Sequence, residues 1–548
     1  PMPKTITCLA LMIAISLYAA GSNAATANDT RPVVTISQGM LAGRAGANGV
    51  KTFKDIPYVK PPTGELRWRP PIEATSWKGV RDAATFGASC IQPTYPPDSI
   101  YSDDPEKMSE DCLTLNIWAP PHAHKAPVIV WIYGGSLTFG GSAEPMYDGT
   151  KFATHGVVFV SFNYRLGLLG WLALPALSKE SPHGVSGNYG LLDQIAALRW
   201  VHKNIAAFGG DPQNVTIMGE SAGALSVTYL LSSPLARGLF QKAIAESPNM
   251  RAFPELKHAN HGLPSAEEIG MKLETAMGAS NLKALRAANA KALTAAAPKA
   301  GFRAQGTIDG YVLPRQIVEI FDRGEQAHVP LIAGFNTGEI ETLRMLLPKP
   351  PASRAAYEQE IRKRYGDLAP AFLKLYPGDD IAASMRATVR DGIFGWAAER
   401  MVRKQAAARV PAYLYLFDHD YRAAREKGLR AFHASELPFV FGQVGSQAKL
   451  PPNWPRPDGA DDTKLSDAMM NYWTSFARNG VPTAPGQPSW PRFAPGKRTM
   501  LFGNQPTESH DLYPGMYRLH EEWVSRRRRA GNQQWFFNVG LAAPVPHN

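Results

Sequence analysis

The segment VTIMGESAGALSVTYLL, residues 215–231, restricts the fold more than any other stretch of this chain. A short apolar, β-rich run ends at Gly219, and a run of helical composition and spacing leaves from Ser221. A chain that passes from strand to helix within two residues turns so sharply that the two elements cross closely. Glycines at 219 and 223 carry no side chain to clash at that crossing. The serine is then held at a helix N-terminus, where backbone N–H groups and the helix dipole favour developing negative charge. A bare GxSxG also arises by chance in chains of this size. The flanking strand and helix separate this one from a stray match.

The alternation extends to both sides. LTLNIWAP (113–120), APVIVWIYGG (126–135) and GVVFVSFNYR (156–165) are apolar runs of the kind buried in a central sheet. YGLLDQIAALRWVHKNIAAFGGDP (189–212) predicts an amphipathic helix, with Leu191, Ile195, Leu198 and Val201 at three- or four-residue spacing and Gly209-Gly210 as its stop. Such alternation implies a mostly parallel sheet with helices on both faces. Residues 33–60 read as small antiparallel strands at the start of the domain. Later strands are expected at PLIAGF (330–335) and AYLYLFDH (412–419). The Ala-rich stretch 265–299 reads as helices inserted over the sheet edge, and 340–430 adds more. No linker divides the chain, so residues 25–548 read as a single α/β domain with helical insertions near 251–310 and 340–430.

The N-terminus reads as an export signal. Lys4 precedes the apolar run CLALMIAISLYAA, which is too short to span a bilayer comfortably, and SNA at 22–24 offers a cleavage site after Ala24. An uncleaved anchor is the alternative. Residues 1–24 are thus expected to be a signal peptide, the mature protein to be periplasmic or secreted, and no integral membrane segment to remain. Cys8 leaves with the signal. Cys90 and Cys112 then form an even pair in an exported chain, where oxidising conditions favour a disulfide over two free thiols. No CxxC or Cys/His spacing suggests a metal, and the histidines of HAH (122–124) and HANH (258–261) lie in loop-like segments. The net charge is +11, and removing residues 1–24 removes only Lys4. That balance suits anionic surfaces or acidic substrates. Nucleic-acid binding is not expected, since the charges are scattered apart from RRRR at 526–529, and that run reads as a solvated tail or helix face.

Serine is a poor nucleophile without a base in reach and an acid to orient the base. In α/β-hydrolases these follow along the chain in the order serine, acid, histidine. Downstream of Ser221, Glu339 follows the strand PLIAGF after the turn NTG, and His433 follows AYLYLFDH within AFHASELPFVFG. Glu341, two residues on, is the rival acid.

Longer motifs make the resemblance specific. FKDIPYVKPPTGELRWRPP (53–71), EDCLTLNIW (110–118), WIYGGSLTFGGS (131–142), FGGDPQNVTIMGESAGA (208–224), LPFVFG (437–442) and YWTSFARNGVPT (472–483) together resemble the type-B carboxylesterases, the family that includes the cholinesterases. The resemblance runs through nearly all of the mature chain. It implies an α/β-hydrolase fold, with a large mixed, mostly parallel sheet flanked by helices and a small N-terminal antiparallel sheet. It implies a Ser221–His433–Glu339 triad, an oxyanion hole of the N–H groups of Gly135, Ser136 and Ala222, a disulfide through Cys112, and hydrolysis of a small-molecule carboxylic ester without cofactor or metal. Two departures stand out. The acid's surroundings are Gly338-Glu339-Ile340 where the family has approximately D-E-G, and Ser136 replaces the third glycine of the oxyanion loop.

Residues 91–111 contain Tyr95 and Tyr101 but no tryptophan, which argues against a quaternary ammonium substrate of the cholinesterase kind. LSKESPHGVSGNYGLLD (177–193) resembles secreted bacterial esterases, among them one that removes tricarboxylate side chains from fumonisin-type toxins. Polycarboxylate esters are therefore one specialised reading. A non-catalytic binding protein on the same fold is another, against which the presence of serine, acid and histidine argues.

Overall fold

The computed structural model describes residues 31–46 and 48–546. The expected signal peptide lies outside the described residues. Among them no helix is long and apolar enough to cross a membrane.

An eleven-stranded sheet organises the described chain from Pro32 onward. Seven neighbouring strands run parallel, in the order Val158–Phe162, Ala126–Ile132, Gly210–Glu220, Lys242–Glu246, Leu331–Asn336, Ala412–Phe417 and Arg498–Phe502. Antiparallel strands extend both margins, Thr114–Ala119 and Lys51–Pro57 on one side and Pro506–His510 on the other. Ala126–Ile132 and Val158–Phe162 are buried along their whole length. Burial on both faces is why these strands read as continuous apolar runs rather than alternating ones. The separate three-stranded sheet joins Val33–Ile36 antiparallel to Gly39–Ala42, and Gly39–Ala42 parallel to Val80–Asp82.

The expected amphipathic helix is Tyr189–Asn204, and its four periodic residues Leu191, Ile195, Leu198 and Val201 are all buried. A short 3-10 turn, Ile205–Phe208, carries it to Gly209, whose φ of 85° supplies the left-handed stop. The Ala-rich stretch forms three helices, Ala266–Ala276, Leu282–Ala287 and Ala290–Lys299. Leu273, Leu285 and Leu293 pack with Leu168, Leu172, Leu177 and Trp68 in a cluster distinct from the main core. The arginine run lies in the helix Met516–Ala530. Arg526 pairs with Asp367 and Glu522, Arg528 with Asp322 and Arg529 with Glu522, while Arg527 is buried and donates to the Gln534 carbonyl. The run is therefore a helix face on which Arg526, Arg528 and Arg529 are matched by carboxylates and Arg527 is held by neutral acceptors. The Cys90 and Cys112 sulfurs stand 2.07 Å apart.

The strand–turn–helix at the centre explains its own glycines. The helix Ala222–Ser232 is buried at every residue and doubles back beneath its strand. A Cβ at Gly219 would lie 2.4 Å from the Gly223 carbonyl group, and a Cβ at Gly223 would lie 2.0 Å from the Ile132 carbonyl oxygen of the neighbouring strand. Both obstacles are backbone and cannot swing aside. Gly223→Ala is therefore expected to lower stability by about 3 kcal/mol or to prevent folding. Gly503→Ala, at a position with nothing within 4 Å of the added carbon, should change it by no more than about 0.5 kcal/mol. Urea denaturation of the two variants checks this, and equal midpoints would contradict the crossing argument.

Candidate active site

All the elements that carry the candidate residues end at the same edge of the sheet. In a parallel sheet the C-terminal ends lie together, and that is where such folds gather functional groups. The strand ending at Ile132 leads into Gly134–Ser136, and the one ending at Glu220 leads into Ser221. The one ending at Glu246 leads into Ser247, and the one ending at Asn336 leads into Glu339.

Ser221 has φ 55° and ψ −117°, a strained conformation for a residue with a side chain. Its N–H donates to the Glu246 carbonyl at 2.9 Å, and this anchors the corner to the adjacent strand. Its Oγ lies 2.8 Å from His433 Nε2. His433 Nδ1 is hydrogen-bonded to Glu339 Oε2. The other oxygen of Glu339 accepts from the Ser247 hydroxyl at 2.5 Å and from the Asn336 N–H at 2.9 Å. These partners assign the imidazole proton to Nδ1 and turn the Nε2 lone pair toward Ser221. His433 is held further by the Tyr101 hydroxyl, which donates to its carbonyl at 2.6 Å, and by the Phe394 ring at 5.2 Å.

Glu341 does not reach the histidine. Its carboxylate pairs with Arg344 at 2.7 Å and with Arg386 at 3.1 Å. The departure at Gly338 has a local reason. Its N–H donates to the Ala431 carbonyl at 2.9 Å, and a Cβ there would come within 2.7 Å of that oxygen. The glycine thus brings the Glu339 turn against the His433 loop.

Opposite the serine, Gly135 has φ 111° and Ser136 φ 57°. Gly134 approaches so closely that a Cβ on it would lie 3.2 Å from the Ser221 Cβ. Among the described residues, the N–H groups of Gly135, Ser136 and Ala222 find no acceptor. Unpaired backbone donors are rare in a protein interior, and three together beside one hydroxyl form a site ready for an oxygen anion. The Ser136 side chain is exposed and adds bulk at its mouth.

Sequence reasoning missed the carboxylates behind the triad. Glu220, Glu246 and Glu436 are buried, as is Glu339. Glu220 Oε1 lies 3.3 Å from His433 Nε2. Glu246 accepts from Trp473 at 2.9 Å and Glu436 from Asn336 at 2.6 Å, yet each keeps one oxygen without a partner. Burial pushes Glu220 and Glu246 well above the usual carboxylate range. Burial, with the Glu339 charge, raises Glu436 to about 7. For His433, burial favours the neutral ring, but Glu220, Glu339 and Glu436 outweigh it and raise the imidazole to about 9. Glu220 was visible within the GESAGA motif. Ser247, Glu246 and Glu436 carry no local signal of their role.

The geometry agrees with the relatives. A carboxylesterase family model matches residues 30–515. The chain is 38% identical over 491 residues to the fumonisin B1 esterase of Sphingopyxis macrogoltabida, covering 88% of each chain. It is 34% identical over 497 residues to the para-nitrobenzyl esterase of Bacillus subtilis (strain 168), covering 88% of this chain and 97% of that one. A solved structure of a PNB esterase superposes with a TM-score of 0.77 at 31% identity, covering 89% of this chain and 99% of the other. A match that spans both the sheet and every loop at its C-terminal edge leaves one assignment: the chain is an α/β-hydrolase and belongs to the carboxylesterase family.

Proposed function

We propose that the protein hydrolyses carboxylic esters through an acyl-enzyme, with Ser221 as nucleophile, His433 as general base and then acid, and Glu339 as the orienting carboxylate. The observation that carries this reading is the continuous relay from Ser221 through His433 to Glu339, set beside three unpaired N–H groups. Ser221 Oγ attacks the ester carbonyl carbon as its proton passes to His433 Nε2. The carbonyl oxygen gathers the charge and is stabilised by the N–H groups of Gly135, Ser136 and Ala222. Collapse expels the alcohol, which takes the proton from His433. Water then attacks the acyl-enzyme with the same histidine as base, and the acid leaves. Glu339 holds Nδ1–H by its hydrogen bond and orients the ring through both steps.

The substrate class we assign is a small to medium ester, with anionic carboxylic esters favoured. The relative named as a fumonisin B1 esterase supports that choice, as does the positive net charge. We also propose an exported protein cleaved after Ala24, with the Cys90–Cys112 bond closing the segment that carries Tyr95 and Tyr101. Closing a loop of that size stabilises the chain by about 3 kcal/mol in the chain-entropy account.

Ser221→Ala is expected to lower p-nitrophenyl ester turnover by about 10⁵-fold and to abolish labelling by a fluorophosphonate while the fold persists. Glu339→Gln should lower kcat by about 10³ to 10⁴, whereas Glu341→Gln, whose carboxylate faces arginines, should leave kcat within a small factor of wild type. A reversed order for the two glutamates would move the orienting role. The pH profile tests Glu220. His433 must be neutral to accept the proton, so kcat/KM rises with pH as the imidazolium is lost. Burial raises Glu220 but the imidazolium draws it back toward the ionised form, and that charge in turn favours imidazolium; Glu220→Gln removes it, so the acid limb should move to lower pH. A limb that moves up or stays still contradicts this arrangement. For Ser136→Gly, the N–H remains and the side chain is lost. The ratio of kcat/KM for benzoate over acetate esters should rise by roughly tenfold or more, the 1–3 kcal/mol that one small group in a pocket supplies. An unchanged ratio would show that Ser136 has no part in acyl selection.

A further inference from the structure

The segment that follows Ser247 carries a cation with no counter-ion. Arg251 is partly buried, its guanidinium over the Phe253 ring at 5.3 Å and the Phe536 ring at 5.1 Å. Its buried Nε has no hydrogen-bond partner. Its neighbours in charge are the Tyr229 hydroxyl and a second arginine, Arg303, which is exposed and lies over the Phe537 ring at 5.8 Å. Among the described residues no carboxylate pairs with either arginine; of the buried arginines, Arg67, Arg165, Arg286 and Arg400 each face a carboxylate, while Arg527 meets only neutral acceptors.

The Tyr229 hydroxyl adds a donor at the same place. It accepts the Gly306 N–H at 2.9 Å and lies in hydrogen-bond contact with Arg251, which leaves its own proton to donate. Two guanidinium groups and a phenol O–H are thus brought together with no carboxylate among them. Like charges are brought together in a protein at a free-energy penalty unless an anion joins them. Burial and Arg303 both weaken the hold of Arg251 on its proton, with burial the larger effect. A carboxylate would reverse both.

The position ties this cluster to the reacting serine. Tyr229 lies on the helix that starts at Ser221, eight residues on, about 12 Å along the axis at 1.5 Å per residue. Arg251 is four residues beyond Ser247, whose hydroxyl bonds the Glu339 carboxylate, so its Cα lies within about 14 Å of the Ser247 Cα. Arg251 therefore belongs to the segment that leaves the C-terminal end of the strand Lys242–Glu246, past the Ser247 hydroxyl that bonds Glu339.

We infer that Arg251, Tyr229 and Arg303 form a subsite for a carboxylate carried by the substrate at the far end from its scissile ester, so that the enzyme selects esters of dicarboxylic acids or of larger polycarboxylates. Arg251 binds and orients that carboxylate, and Arg303 at the rim steers it. This rests on the ester-hydrolysis reading above.

The test compares the mono-p-nitrophenyl ester of suberic acid with p-nitrophenyl octanoate, which differ by the terminal carboxylate alone. In wild type the half-ester should be preferred. In Arg251→Gln the ratio of kcat/KM for half-ester over octanoate should fall at least tenfold, mainly through KM. Arg251→Lys should recover part of it, and Arg303→Gln should show a smaller fall that raised salt removes. A ratio unchanged in Arg251→Gln, or an equal loss on both esters, overturns the subsite. If Arg251→Gln does not fold, calorimetric titration of free suberate into Ser221→Ala and into Ser221→Ala/Arg303→Gln decides. Binding weakened by the second substitution supports the subsite, and the absence of suberate binding overturns it. Because that titration needs no turnover, a failure of ester hydrolysis itself is distinguished from a failure of the subsite.

Discussion

Everything at this site depends on how closely the helix after Ser221 passes beneath its own strand. The contact is backbone against backbone, with Gly219 facing Gly223 and Gly223 facing the Ile132 carbonyl. It forces Ser221 into a conformation that side chains avoid, and the Glu246 carbonyl holds it there. The same crossing brings the first free N–H of the helix, that of Ala222, alongside the loop that carries Gly135 and Ser136. The placements of Ser221 and of the free N–H groups beside it are therefore consequences of one packing decision. The strain at the corner is offset by a core in which every residue of the helix is buried.

Around that corner, identical buried residues meet different sets of donors. Glu339 is fully buried and accepts from a hydroxyl, a backbone N–H and the imidazole. Glu246 and Glu436 are equally buried, but each has an oxygen left unpaired, and they are pushed toward the neutral form. Donors stabilise the carboxylate and burial penalises it. The imidazole sits among these groups, and its readiness as a base is set by how many of them are ionised. Glu220, beside its Nε2, is the nearest of them on the serine side.

Charge elsewhere in the molecule is mostly matched. The arginine helix is spent on ion pairs with Asp322, Asp367 and Glu522, and Arg165 is locked to Asp193 in the core. Arg251 and Arg303 stand near one another without a carboxylate between them. A positive net charge by itself favours anionic partners only weakly, but two neighbouring guanidinium groups without a carboxylate would give that preference a location.

The fold and the serine were legible in the sequence because they rest on local patterns. Apolar runs bounded by turns marked the strands at 126–135 and 156–165, and the three- and four-residue spacing from Leu191 to Val201 marked the helix. The glycines around Ser221 announced a close crossing before any partner was known. Glu339 and His433 could be named from chain order, but Glu341 remained a rival, since two carboxylates two residues apart look alike in a sequence. The tertiary structure separated them, because the turn at Gly338 aims one at His433 and the other at Arg344 and Arg386. Ser247, Glu246 and Glu436 were invisible for the same reason. Their positions follow from strands and loops far apart in the chain, and whether a buried carboxylate is charged depends on donors that only packing brings within reach. The sequence by itself determined the sheet, the corner and the serine that stands at it. Which carboxylate meets the His433 imidazole, which others surround it, and which arginines face no carboxylate were decided by the three-dimensional meeting of segments that carry no local mark of one another.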